Sequence, residues 1–271
     1  MHLLSIYPPT DWILLLAAGA FIGLLSGLLG IGGGIVAVPL LLDLFAGLGM
    51  SQEVATPLAI GTAQTNVLIA SLAAILAHGG SGMIDWPLVR AWLPAVIVGS
   101  AAGIALGPLA PPRVLTAIFA VFAAGLGVKL ALGERLVVAR SQPAGAAGQV
   151  APALVGSLAA ALGIGGGTLS TPVLSLFSFP IRRAIGAGAL FNLVISLPAT
   201  LAFLAMGWSE SGRPADSVGD VAMVCVIALS LPALVVAPLA AHWSAYAPLV
   251  LLRRSFALCL VAIAVRLALH T

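Results

Sequence analysis

Long apolar runs separated by short polar stretches make up most of the chain, and they fall into two similar halves. Residues 13–29 are apolar, are interrupted by LGIGGG at 29–34, and the apolar run then resumes to position 45. Residues 54–77 carry no charge, and about 20 apolar residues suffice to cross a bilayer, so this segment is expected to span. Spans are also expected over about 91–109 and 114–132, followed by a polar linker at 133–149. The pattern then returns, with an apolar run from 150, a second LGIGGG at 162–167, a continuation to 179, and expected spans at about 184–206, 221–241 and 255–269. Each glycine run is followed five residues later by a proline, Pro39 or Pro172. A shift of 133 residues superposes the two runs, and one of 137 superposes Phe119 and Lys129 on Phe256 and Arg266, so a small indel relates the halves.

The expected architecture is an all-α polytopic membrane protein of two repeats, 1–132 and 150–271. Each opens with a broken element, 12–46 and 150–179, and continues with three spans. Glycine clusters are poor helix formers. An unpaired backbone group in hydrocarbon costs several kcal/mol, so such a break survives only inside protein or beside a polar cavity.

Composition agrees with a membrane location. Hydrophobic residues are 61% and charged residues 7% of 271 positions, where a soluble domain carries about 25% charge. Mean hydropathy is +1.20. No basic run suggests nucleic acid. Cys225 and Cys259 both lie in apolar segments and the four histidines are scattered, which offers neither a disulfide framework nor a metal site. No cofactor is expected. Lys129 as the sole lysine and the abundant alanine give the chain a bacterial character, hence an inner-membrane location; residues 12–29 lack a basic n-region and read as retained.

Charge placement bears on orientation. If each opening element crosses once, the repeats are parallel and the eleven basic residues divide six to five. If each goes in and returns, the repeats are inverted. Arg90, Lys129, Arg135, Arg140, Arg182, Arg183, Arg253 and Arg254 then share one side, with Arg113, Arg213 and Arg266 opposite. The positive-inside rule favours re-entrant elements and inverted repeats with both termini outside. A broken single span would be similar in length.

The chemistry expected at the breaks is anion binding. A half-helix begins after each glycine run, near Ile35 and Thr168; its first N–H groups lack intrahelical partners and the helix dipole adds partial positive charge. Gly32, Gly33, Gly34, Gly165, Gly166 and Gly167 can form nests for an anion, with Gln64, Thr65, Asn66, Asn192, Ser196 and Thr168 as side-chain donors. No buried lysine or arginine is then needed at the bilayer centre, where either is expensive. The alternative roles are close helix packing for the glycines, interhelical hydrogen bonding for the amides and hydroxyls, and a helix cap for Thr168. A homodimer remains compatible with the sequence.

The sequence resembles the TauE/SafE family of membrane transporters. The resemblance rests on GLLSGLLGIGGGIVAVPLLL at 23–42 and VGSLAAALGIGGGTLSTPVL at 155–174, with VATPLAI at 54–60, GMIDW at 82–86 and RRAIGAGALFN at 182–192. It implies transport of a small anion, sulfite or an organosulfonate. Pro57 and Gly188 depart from the polar residue that often follows threonine in the family pattern. The expected function is therefore secondary transport of a small oxyanion by alternating access, without catalytic residues. The competing classes are an intramembrane hydrolase using Ser26 with His78, and a membrane scaffold or assembly factor that does not transport.

Overall fold

The computed structural model describes residues 7–79, 84–109, 111, 145–177, 179–208 and 212–248, with isolated positions at 121, 124–125 and between 250 and 265. Most of the expected spans 114–132 and 255–269 and of the linker lies outside these residues, as do Arg113, Lys129, Arg135, Arg140, Arg253 and Arg266. The described chain is helical apart from one short hairpin. In order come α1 (Pro9–Leu29), α2 (Gly34–Gly47), α3 (Gln52–Gly79) and α4 (Trp86–Leu106) with a 3-10 turn (Gly107–Leu109). There follow α5 (Ala146–Ala161), α6 (Gly166–Leu176), α7 (Ile181–Ala205), β1 (Ser217–Val218), β2 (Val221–Ala222) and α8 (Met223–Tyr246). Five of the helices, α1, α3, α4, α7 and α8, are long and apolar enough to cross a membrane. This is a multi-pass membrane protein.

Element boundaries differ from the sequence expectation where local chemistry intervenes. α4 starts five residues early because Asp85 caps it, its carboxylate accepting the Leu88 N–H at 3.1 Å, with Pro87 in the first turn. Pro39 and Pro172 lie inside α2 and α6. The arms of the first broken element are unequal. α1 has 21 residues, about 32 Å at the helical rise, so it is long enough to cross by itself, whereas α2 has 14.

Contact register gives the relative directions of the helices. Gly19, Gly23 and Gly27 of α1 press on the backbone at Leu229, Ala233 and Ala237 of α8, so these two run parallel. Gly99, Gly103 and Gly107 meet Ala153, Ser157 and Ala161 in the same way, so α4 and α5 run parallel. Without a Cβ the two backbones come close enough for dense packing, which is what drives helix association in lipid. α3 runs with α8, since Thr62 accepts from the Ala222 N–H and Asn66 donates to Ser230. It runs against α7, since Gly61 meets Phe203 while Val67 and Asn192 both flank Gly32. α4 runs with α7, since Asp85 pairs with Arg183 and Trp92 stacks on Phe191 at 5.5 Å. Thus α1, α3 and α8 point one way, and α4, α5 and α7 the other. Between parallel α1 and α3, α2 carries the chain back; α6 does the same between α5 and α7.

The buried side chains form two main cores. One joins α1, α2, α3 and α8 through residues such as Leu15, Ile22, Leu41, Phe45, Leu58 and Leu229. The other joins α4, α5, α6 and α7 through Trp92, Val96, Val155, Leu169, Ile185 and Phe191, and takes in Leu29 and Ile31 at the first break.

Candidate functional site

The two breaks touch. Leu29 ends α1, and the backbone then turns through three left-handed glycines, Gly30 (φ 65°), Gly32 (φ 80°) and Gly33 (φ 77°), before α2 begins at Gly34. L-residues pay a steric penalty in this region, so the glycines are required by the path of the chain. The second break turns at Gly163 (φ 70°) and restarts at Gly166. Gly34 lies against the Gly163 carbonyl and Ile164, and Gly167 lies against the Gly30 carbonyl. Val67 and Asn192, which flank the crossing, stand fifteen residues into α3 and eleven into α7, so the breaks meet near the middle of both helices.

Amide side chains join each break to the other half. Asn192 of α7 donates through Nδ2 to the Gly30 carbonyl at 2.9 Å and accepts the Gly167 N–H at 2.6 Å, so one side chain serves both breaks. Gln64 of α3 donates to the carbonyls of Ala159 and Ala160, at 3.1 and 3.4 Å, in the last turn of α5. Thr168 donates to the Ile31 carbonyl at 3.0 Å. Its hydroxyl therefore serves the opposite break and does not cap its own half-helix; the N-cap there is Gly165, with no side-chain cap.

All twelve residues singled out from the sequence are buried. The glycines, Thr168, Gln64 and Asn192 converge on the crossing. Asn66 stands a half-turn further along α3 and donates to Ser230 at 3.0 Å. Thr65 instead bonds back to the Gly61 carbonyl in its own helix at 2.9 Å. Ser196, one turn beyond Asn192 on α7, has no partner for its Oγ among the described residues, and neither do Gln64 Oε1, Asn66 Oδ1 and Thr200 Oγ1. No hydrogen bond among the described residues takes up the N–H of Gly32, Gly33, Gly34, Gly165 or Gly166. Unfilled donors at two helix N-termini, deep in an apolar protein, are what an anion would complete. Ser26 is fully buried, and its Oγ likewise has no partner among the described residues; the His78 side chain lies outside those residues.

Sequence reasoning missed two features. The first is the pair of glycine ladders at spacing four in α1 and α4, whose signal was present as GxxxGxxxG. The second is the hairpin at 217–222, where the sequence leads to a polar loop up to 220 and a span from 221. Its tip Gly219–Asp220 folds back under α7, where the Asp220 N–H donates to the Phe203 carbonyl at 2.8 Å. Asp220 pairs with Arg213 at 2.5 Å, both side chains less than a tenth exposed. Asp216 accepts from the Val224 N–H at 2.9 Å and from the Tyr7 hydroxyl at 3.3 Å. Burial, helped by the adjacent Cys225 thiol and Asp216 carboxylate, pushes the Tyr7 phenol well above its ordinary value, which keeps it a donor.

Comparison with known proteins agrees with this picture. The model of the family described as sulfite exporter TauE/SafE matches residues 15–267. A probable membrane transporter protein of Haemophilus influenzae is 28% identical over 257 residues, covering 94% of this chain and 97% of its own. The Bacillus subtilis probable membrane transporter protein YunE is 24% identical, covering 73% and 80%. The Methanocaldococcus jannaschii probable membrane transporter protein MJ0441 is 25% identical, covering 64% of each chain. No solved structure matches. With two duplicated glycine breaks packed together in a polytopic helical fold and a family match over nearly its whole length, the chain belongs to the sulfite exporter TauE/SafE family of membrane transporters.

Proposed function

We propose that the protein moves a small oxyanion, sulfite or an organosulfonate, across the bacterial inner membrane by alternating access, with the crossing of the two breaks as its binding site. The observation that carries this reading is the set of N–H groups at Gly32–Gly34 and Gly165–Gly166 that no hydrogen bond among the described residues takes up, beside Asn192, at the N-termini of α2 and α6. Two such termini offer partial positive charge without a cationic side chain. Ser196, Thr65 and Asn66 line the adjacent stretch of α3 and α7 and complete the polar surface.

The halves are read as inverted repeats with re-entrant opening elements. In support, α1 and α5 run in opposite directions, as do α3 and α7, while α1 lies parallel to α3 and α5 to α7. Discontinuous helices meeting at a pseudo-twofold axis are a recurring solution in secondary transporters. The bodies that rock are the two cores, α1–α2–α3–α8 and α4–α5–α6–α7, rather than the two sequence halves. The basic side, with Arg90, Arg182 and Arg183, is the cytoplasmic one. Arg213 on the other side is neutralised by Asp220, which sharpens the asymmetry.

The test is flux of sulfite, and separately of a small organosulfonate, in proteoliposomes of the purified chain. Saturable flux above empty vesicles, lost in Asn192→Asp, is expected. Flux equal to that of empty vesicles for both anions would remove the substrate assignment.

A further inference from the structure

α3 and α7 cross at the breaks and form an antiparallel seam, and each end of that seam carries an ion pair. At one end the hairpin inserts. Ala222 donates its N–H to Thr62 Oγ1 at 2.9 Å, and the Asp220 carbonyl lies against Gly61. Thr62 is ten residues into α3, about 15 Å along the helix, so the hairpin tip reaches well inside the span. It stops one turn short of Asn66. On α7, Asn192, Ser196 and Thr200 follow at spacing four from the crossing towards the same tip, the last two almost wholly buried and with no hydroxyl partner among the described residues. A buried polar stripe therefore runs from the breaks to the hairpin and ends there. Arg213 fastens the tip, donating to the carbonyls of Gly207 and Gly219, the latter at 3.0 Å, and pairing with Asp220.

At the opposite end the α3–α4 connection places Asp85 against Arg183 of α7 at 3.2 Å. Here the Arg183 side chain is 60% exposed. An exposed pair contributes little, whereas removing one partner of a buried pair leaves an uncompensated charge and is strongly destabilising.

We infer that the hairpin Arg213–Ala222 is the gate of the transport path at its end of the seam, latched by Arg213–Asp220, and that Asp85–Arg183 is the weaker latch of the opposite mouth. This rests on the transport reading above. The structure is then the state sealed at the hairpin end. An oxyanion moving along the stripe competes with Asp220 for the Arg213 guanidinium, which unfastens the tip and leaves the bond from the Asp220 N–H to the Phe203 carbonyl as its hold on α7.

The test uses thiol accessibility and needs no substrate. Ser196→Cys, in the full chain with Cys225→Ala and Cys259→Ala, is labelled with a membrane-impermeant thiol reagent applied to one face of oriented vesicles at a time. Asp220→Asn is expected to raise labelling from the hairpin face on the order of tenfold, without change from the other face. Asp85→Asn is expected to raise labelling from the opposite face alone, and Asp220→Glu, which can restore the pair, to return the hairpin-face rate to the parent value. Unchanged labelling in Asp220→Asn overturns the gate, and so does a rise from both faces, which marks general loosening. Side-specific labelling in a chain that carries no sulfite or organosulfonate would overturn the substrate assignment and leave the gate standing.

Discussion

Asn192 and Gly30, 162 positions apart, are joined by a 2.9 Å hydrogen bond that closes the first break with a side chain from the second half. The same amide holds the Gly167 N–H, so its two ends satisfy one acceptor and one donor that no helix supplies. Asn192→Ala strands both groups in a buried site. A loss of about 1–3 kcal/mol in stability is expected, read as a lower melting temperature in detergent. Asn192→Asp keeps the acceptor for Gly167 but loses the donor to Gly30 and adds negative charge. With a carboxylate facing the Gly30 carbonyl in a buried site, it should cost the fold at least as much as alanine does.

Alanine substitutions along the breaks should separate by what the added methyl meets. At Gly167 and Gly34 it runs into the backbone of the opposite break, at the Gly30 and Gly163 carbonyls. Both variants should fold in low yield. At Gly166 the nearest atom is the movable tip of Ile195, at 2.5 Å. Gly166→Ala should therefore express and remain monodisperse while transport falls. Gly47 has open space around it in α2, and Gly47→Ala should be neutral or stabilising by up to about 1 kcal/mol. Yield, size-exclusion profile and flux, measured together, give the order.

The ladders in α1 and α4 should tolerate no bulk. Gly23→Val drives a branched side chain into Ala233 and Val236, and Gly103→Val does the same at Ser157. Each variant should lose several kcal/mol by overpacking, at least about 1–3, with a broadened size-exclusion profile and a lowered melting temperature. Gly125→Ala, at an exposed position with nothing within 4 Å among the described residues, is the control.

Single cysteines at Gly145 and Gly212 should label from opposite faces of the membrane. Both positions are exposed, with no neighbouring atoms among the described residues to obstruct a reagent. Labelling of both from one face would mean parallel repeats and would dismiss the inverted arrangement.

Much of the architecture could be read from the residues, for reasons specific to membranes. Spans announce themselves because lipid admits only long uncharged segments, and 54–77 became Gln52–Gly79 with a two-residue error at each end. The breaks were legible because LGIGGG is a poor helix and occurs twice. The partners of the breaks were harder to see. Nothing local in Gln64 or Thr168 says that it will bond a carbonyl about 95 or 137 residues away. That depends on which helices cross, and crossing is decided by the shape of the glycine faces. The hairpin was missed because its signal, one Gly-Asp pair between two two-residue strands, is too short for periodicity to register. Its burial depends on Arg213 and Asp220 neutralising one another, and sequence shows only two exposed-looking charges.

The pairing of α1 with α8 and of α4 with α5 means that neither half owns a complete core. A chain opened within 133–144 would yield two fragments, each missing a wall that only the other can supply. Such fragments should be insoluble apart and should recombine when made together, as exchanged subunits do. The protein is in effect an obligate pair written on one strand. Its linker supplies proximity, while the bonds that hold the pair are already shared between its members.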